Sequence, residues 1–228
     1  MHQPLEKERT DKRFAALKTA LGRPEAAIAI LLIFYGVGIT GVALRIHEDF
    51  LLLTPLNLLL SLALTLAHHP DWSWKTAFFL GLCYVVGFGA ELFGIQTGLL
   101  FGDYAYGPVL GPQVLGTPLM IGINWMLLAY AAGVTANHLL PGRHWALRAL
   151  LGALLMVLLD WFIEPVAIRY DFWSWTEGTP PLQNYLGWFL VALPLLAVFA
   201  ELQAHIRNKV AVALLLIQLV FFLTLGIL

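Results

Sequence analysis

The chain has 228 residues, 60% of them hydrophobic and only 12% Asp, Glu, Lys or Arg. A soluble domain carries roughly 25% charged residues, so half that charge with a mean hydropathy of +0.79 excludes an ordinary water-exposed globule. The net charge of −1 and the absence of a basic stripe exclude a nucleic-acid-binding surface, and the single cysteine, Cys83 in an apolar run, excludes a disulfide framework or a thiolate metal site.

Residues 1–23 are polar, of mixed charge and helix-prone, and are expected to form a cytoplasmic or interfacial N-terminal helix. The apolar run that follows is too long for the core of a signal peptide and is read as a retained spanning helix. Residues 24–228 form a single transmembrane bundle in this reading. A spanning helix needs about 20 mainly apolar residues, and candidates fall at 24–44, 50–67, 75–97, 118–139, 145–170, 185–204 and 209–228. The expected class is therefore an all-α polytopic membrane protein of about seven spans, multi-pass in the cytoplasmic membrane. Connections are short except 98–117 and 171–184, which are rich in Gly, Pro and aromatic residues and are expected to be ordered.

With the N-terminus inside, Lys7, Arg9, Lys12, Arg13, Lys18, Arg23, Lys75, Arg143, Arg148, Arg207 and Lys209 face the cytoplasm, and only Arg45 and Arg169 face out. Eleven of the 13 basic residues on one side satisfies the positive-inside rule. The expected orientation is N-terminus in, C-terminus out, with both long loops outside.

A charged side chain in hydrocarbon costs at least ~2.5–3.5 kcal/mol, which makes each intramembrane carboxyl a functional suspect. Glu91 lies 16 residues beyond Lys75, about 24 Å up an outward-running helix at ~1.5 Å per residue. Asp160 and Glu164 reach a similar height on another helix, and Asn124 and Asn57 lie at comparable depth. The costly polar groups thus gather in the outer half, beneath the two loops, and the inner half reads as apolar with a basic rim. Asp160 and Glu164 are four apart and share a helix face. Mutual repulsion and low polarity oppose double ionisation, so at least one is expected to stay protonated at neutral pH, as a general acid requires. Pro165 leaves a backbone carbonyl of that helix without its usual donor. The plain alternative is that Glu164 pairs with Arg169 at the membrane edge.

Tyr104, Tyr106, Trp125, Trp173, Trp175, Tyr185 and Trp188 surround these carboxyls in the expected topology. Aromatic faces stabilise cations, although a Trp/Tyr belt is also ordinary at an interface. His68, His69, His138, His144 and His205 fall at inner span ends, where interfacial anchoring is favoured over a metal site. A weak internal echo is present. Glu91, Asp103-Tyr104-Ala105-Tyr106, Gly116-Thr117-Pro118 and Trp125 are answered by Glu164, Asp171-Phe172-Trp173, Gly178-Thr179-Pro180 and Trp188. The spacings differ, so a parallel two-helix repeat and coincidence both remain open.

The run from Glu91 to Tyr106, with Leu110-Gly111-Pro112, Gly116-Thr117-Pro118 and Asn124-Trp125, resembles the membrane carotenoid-biosynthesis family of carotenoid 1,2-hydratases and bisanhydrobacterioruberin hydratases. Asp160, Glu164-Pro165, Phe172 to Trp175 and Asn184 to Trp188 continue the resemblance over roughly residues 75–190. Thr117 and Tyr185 depart from it, standing where an apolar residue and Phe are expected. The resemblance implies cofactor-free, metal-free addition of water to the terminal double bond of an acyclic carotenoid. It implies Asp160, Glu164 and Glu91 as catalytic groups. Asp103, Tyr104, Tyr106, Asn124, Trp125, Trp173, Trp175, Asn184 and Trp188 are then expected around the substrate. Expected partners are membrane lipid, the carotenoid itself and other membrane enzymes of the pathway. Competing readings are a lycopene-cyclase-like end-group enzyme and, from another class, a proton-linked transporter or lipid-binding protein. A retinal receptor would need a lysine deep in a helix, and Lys209 sits at the start of its span.

Overall fold

The computed structural model describes residues 22–228; the expected N-terminal helix lies outside them, apart from Gly22 and Arg23, which lead into the first span. Among the described residues seven helices are long and apolar enough to cross a membrane: α1 (Pro24–Ala43), α2 (Thr54–Ala67), α3 (Trp74–Thr97), α4 (Leu119–Leu139), α5 (Trp145–Arg169), α6 (Leu182–Leu202) and α7 (Lys209–Ile227). A 3-10 turn, Glu48–Leu53, precedes α2 and lengthens that span to Asp49–Ala67. The chain is an all-α polytopic membrane protein, and each span lies within about three residues of its expected bounds. Element ends follow local chemistry. Pro24 opens α1, where a missing N–H is harmless. Gly98, at φ 66°, closes α3 in the left-handed conformation. Asn208 caps α7, its Oδ1 accepting from the amides of Val210 and Ala211.

The central helix is α4, which packs against α2, α3, α5, α6 and α7 and has Ala131, Ala132 and Gly133 in its buried middle. Small residues let helices approach closely where lipid removes the hydrophobic drive to associate; the Phe199 ring of α6 lies directly over Gly133. Many large apolar side chains, among them Phe34, Leu56, Val85, Leu158 and Leu190, point outward and are exposed, as a lipid-facing surface requires.

The two long connections contain strands. β1 (Tyr104–Tyr106) pairs antiparallel with β4 (Trp173–Trp175), in the register Tyr104↔Trp175, Ala105↔Ser174, Tyr106↔Trp173. β2 (Gln113–Val114) and β3 (Thr117–Pro118) form a hairpin. Its two turn residues, Leu115 and Gly116, both have positive φ, 51° and 79°, as a type I′ turn demands. The β1–β4 ladder ties the two echoing segments to each other. Its centre, Ala105 opposite Ser174, has equivalent residues on either side, so the echo corresponds to two α-hairpins, α3–α4 and α5–α6, facing one another.

The end of the bundle opposite these loops departs from expectation, because it contains a buried polar network rather than apolar packing alone. His69 Nδ1 lies 2.7 Å from the Tyr130 hydroxyl, and its Nε2 lies 3.0 Å from Thr76 Oγ1 and 2.9 Å from the Asp71 carbonyl. Gln203 donates to Thr76, Asn208 to Tyr130 and the Thr65 carbonyl, and Asn137 to the Gln203 carbonyl. Arg148 donates to Asn137 and to the carbonyls of Ala200 and Ala204, satisfying the C-terminal end of α6. Apart from Tyr130, in the middle of α4, these residues fall near span boundaries and read singly as interfacial groups; helix packing gathers them. His69 is 6% exposed and is not an interfacial anchor.

Burial pushes the His69 pKa below its ordinary value, against the raising effect of the Asp71 carbonyl and carboxylate. The unfolded chain, with histidine near pH ~6.5, then binds the proton more readily than the folded one. This contribution to stability is full above about pH 6.5 and is lost as the pH falls below it. The detergent-solubilised protein is expected to lose thermal stability between about pH 7 and 5, and His69→Gln to flatten that profile. An unchanged slope in the variant would assign the acid sensitivity elsewhere.

Candidate active site

Helices α3 and α5 rise toward the loops and bring Glu91, Asp160 and Glu164 into one pocket beneath the β1–β4 ladder. All three are essentially buried, at 2%, 1% and 2% exposure. Side chains alternate sides along a strand, so Tyr104, Tyr106, Trp173 and Trp175 all point down from the ladder while Ala105 and Ser174 face away. Each strand serves the carboxylate of its own half. Tyr104 and Tyr106 donate to Glu91 Oε2 at 2.6 and 2.8 Å. Trp173 and Trp175 donate to Glu164 Oε2 at 3.1 and 2.8 Å. Burial, and after it the Glu91 charge, raise both tyrosine hydroxyls above their ordinary pKa, so they stay neutral donors.

The return helices complete the set. Trp125 of α4 donates through Nε1 to Glu91 Oε1 at 2.9 Å. Asn184 of α6 spends one amide hydrogen on Asp160 Oδ2 (2.9 Å) and the other on Glu164 Oε1 (3.1 Å). Trp125 and Trp188 occupy matching positions, seven residues past Pro118 and Pro181, and stack across the interface with centroids 4.3 Å apart and planes at 20°. Gly87 stands on α3 where Asp160 stands on α5, four residues before the glutamate. Trp125 fills that space, since a Cβ on Gly87 would come within 2.3 Å of the Trp125 Cβ. The two halves therefore share a glutamate and its aromatic donors, but only one half carries the extra acid.

The three carboxyls differ in how they are held. Glu91 and Glu164 each accept three hydrogen bonds, the arrangement that stabilises a carboxylate. Asp160 accepts one, and its Oδ1 is buried with no partner among the described residues. Glu164 does not pair with Arg169, whose guanidinium reaches the Leu225 carbonyl instead. Among the described residues no three His, Cys, Asp or Glu side chains form a metal-holding cluster.

The pocket encloses about 20 Å3, enough for a single water. It adjoins a larger, mainly apolar cavity of about 280 Å3 between α1, α2, α5 and α7. Ile121, Asn124, Ile163 and Trp173 line both. The Asn124 amide makes no hydrogen bond with the described residues and stands at this junction. The structure thus brings together Glu91, Tyr104, Tyr106, Asn124, Asp160, Glu164, Trp173, Trp175, Asn184 and Trp188, with Trp125 directly behind Glu91. It places Asp103 outside, exposed beside Gly98 with its carbonyl accepting from the Thr176 amide. Tyr185 packs against Trp161 instead. Gly87, Ile121 and Ile163 were not singled out by sequence reasoning. Gly87 carried a usable signal, the four-residue spacing to Glu91 that matches Asp160 to Glu164.

No solved structure matches this chain. The bisanhydrobacterioruberin hydratase of Haloarcula japonica is similar to it, with 32% identity over 109 residues, 45% of this chain and 37% of the relative, so the match spans less than half of that protein. The sequence model of the carotenoid biosynthesis protein family matches residues 52–228, which include every helix from α2 onward and all of the pocket. The chain belongs to the carotenoid biosynthesis protein family.

Proposed function

We propose that this protein is a carotenoid hydratase that adds water to the terminal double bond of an acyclic carotenoid. The observation that carries the reading is the unequal treatment of three carboxyls at the head of an apolar cavity. Two accept three hydrogen bonds each, and Asp160 is left with a free buried oxygen.

In this mechanism the carotenoid lies in the 280 Å3 cavity and its end group passes Asn124 into the carboxyl pocket. Asp160 carries the proton, because it has the fewest donors to support a charge. The Asp160 O–H bond breaks, a new C–H bond forms at the terminal alkene, and the adjacent carbon becomes a tertiary cation. The Glu91 and Glu164 carboxylates and the faces of Trp173 and Trp188 stabilise that charge. A water positioned by Asn124 forms the C–O bond, and its surplus proton returns to the Asp160 carboxylate. The balance is alkene plus water giving tertiary alcohol, with the acid regenerated and no redox change. The similarity to the Haloarcula hydratase supports a hydration.

The proposed setting is the cytoplasmic membrane. The N-terminus lies inside and the carboxyl pocket near the outer face, as the basic residues at the opposite end of the bundle support. Membrane lipid and the other membrane enzymes of the pathway are its proposed partners. Expression in a lycopene-producing host with mass analysis of pigments tests the function. Products heavier by one or two waters are expected. New pigments of unchanged mass would replace hydration by cyclisation, and an unaltered profile would move the assignment to transport or lipid binding.

A further inference from the structure

The large cavity beside the carboxyl pocket has one side that opens on the lipid. Among its lining residues, Phe34 and Val37 of α1 and Leu53 and Leu56 around the start of α2 are half-exposed or more. Those from α4, α5 and α7 are buried or half-buried. α1 is held mainly by α7, where the Phe221 ring packs on Gly38, and touches α2 much less. The seam between α1 and α2 is bridged at two heights. Toward the loops the Phe50 ring lies directly on Gly41. Deeper in the bundle Tyr35 lies 3.4 Å from Ser61 Oγ of α2 and accepts from Gln218 Nε2 of α7 at 3.1 Å, which ties the three helices together. From Tyr35 to Gly41 α1 rises by six residues, about 9 Å at ~1.5 Å per residue. Over that height Val37 and Gly38 of α1 and Leu56 and Asn57 of α2 form the mouth of the cavity.

The size of the cavity gives this mouth a use. Its 280 Å3 lies at the lower edge of the ~300–1,000 Å3 found for sites that enclose a drug-sized ligand. An acyclic carotenoid is much longer than such a ligand, and its conjugated double bonds keep it extended, so it cannot coil up inside. With the end group at Asp160, most of the chain has to leave the cavity. Toward the bundle centre the way is closed by the buried Ile121, Ile163, Val166 and Ala167. We infer that the α1–α2 seam is a lateral window onto the bilayer, through which the polyene enters end-first and in which the rest of its chain stays threaded during reaction. The window is continuous with the carboxyl pocket, since Ile121, Asn124, Ile163 and Trp173 line both spaces. Phe50 and the Tyr35–Ser61 contact are its upper and lower edges.

The identity of the chain as a polyene rests on the hydratase reading; the window is tested apart from it by cross-linking. Val37→Cys, Leu56→Cys and, as control, Val85→Cys on the lipid-facing side of α3 each receive a thiol-reactive diazirine; Cys83 is buried and stays unlabelled. The full-length proteins are placed in lipid nanodiscs with lycopene, irradiated and weighed by mass spectrometry. Lycopene adducts at Val37 and Leu56 are expected to exceed those at Val85 by at least about ten-fold, because a threaded chain is held against the label. Lycopene adducts no richer at the window than at Val85, with lipid adducts alone, would overturn the window and leave the seam a lipid-facing groove. Val37→Trp and Leu56→Trp, which narrow the mouth from its lipid side, are expected to lower conversion about ten-fold, and Val85→Trp to leave it unchanged. Full conversion by both narrowed variants would also overturn the window; if either fails to fold, the cysteine variants decide alone. Window adducts without hydrated product refute the hydratase reading and leave the window standing; hydrated product without window adducts does the reverse.

Discussion

Replacing Asp160 with Asn is expected to leave the protein folded and to reduce hydrated product by about 10^3-fold or more, within the range by which a positioned general acid contributes. Asn is nearly isosteric, and its carbonyl can accept the Asn184 hydrogen bond now made to Oδ2. Its amide nitrogen would take the place of Oδ1, which opposes no other donor. Only the transferable proton is lost. Glu164→Gln provides the contrast. Trp173 and Trp175 donate to one oxygen and Asn184 to the other, so a glutamine NH2 must face at least one N–H head-on. That variant is expected to lose about 1–3 kcal/mol of stability as well as activity. Pigment analysis at matched protein level, with thermal unfolding in detergent, reads both. Near-normal conversion by Asp160→Asn would exclude it as the acid and turn attention to Glu164.

Gly87→Ala is expected to be the most damaging single-methyl change on α3. The added Cβ would meet Cβ and Cγ of Trp125 at 2.3 Å, atoms next to the α4 backbone that cannot swing aside. Either α3 and α4 separate or Trp125 moves, releasing Glu91 and the stacked Trp188 together. Overpacking of this kind costs about 1–3 kcal/mol, and product yield is expected to fall at least about ten-fold, since 1.4 kcal/mol of lost positioning corresponds to that factor. Gly81 and Gly89, on the same helix with open space around them, are the controls. Alanine there is expected to be neutral or to stabilise by up to about 1 kcal/mol through helix propensity. Equal behaviour of Gly87→Ala and Gly89→Ala would show that the close approach does not matter.

The internal echo acquires a physical meaning from the ladder. Tyr104-Ala105-Tyr106 and Trp173-Ser174-Trp175 are period-two segments, a pattern visible in the sequence, but their centres lie 69 positions apart, which hides the pairing. Once paired, the four aromatic side chains face one way and supply the N–H and O–H donors that make two buried glutamates tolerable in a membrane. The lid and the carboxylates are thus a single device. Without the ladder each glutamate would lose two of its three donors, leaving Glu91 only Trp125 and Glu164 only Asn184.

What the sequence determined by itself was the number and bounds of the spans and the identity of the costly groups. Both depend on transfer free energy, a property each residue carries wherever it lies: runs of about 20 apolar residues define spans, and Glu91, Asp160 and Glu164 stand out within them. Tertiary structure decided what those groups do. It sorted three similar carboxyls into two held by three donors and one held by a single donor. It moved Asp103 out of the site. It joined His69, Asn137, Arg148 and Gln203, scattered near span ends in the sequence, with Tyr130 from the middle of α4 into one network, and it set Gln218 and Asn57 on one cavity wall. These outcomes depend on hydrogen-bond partners supplied by different helices, and the number of donors around an atom is fixed only when the helices pack.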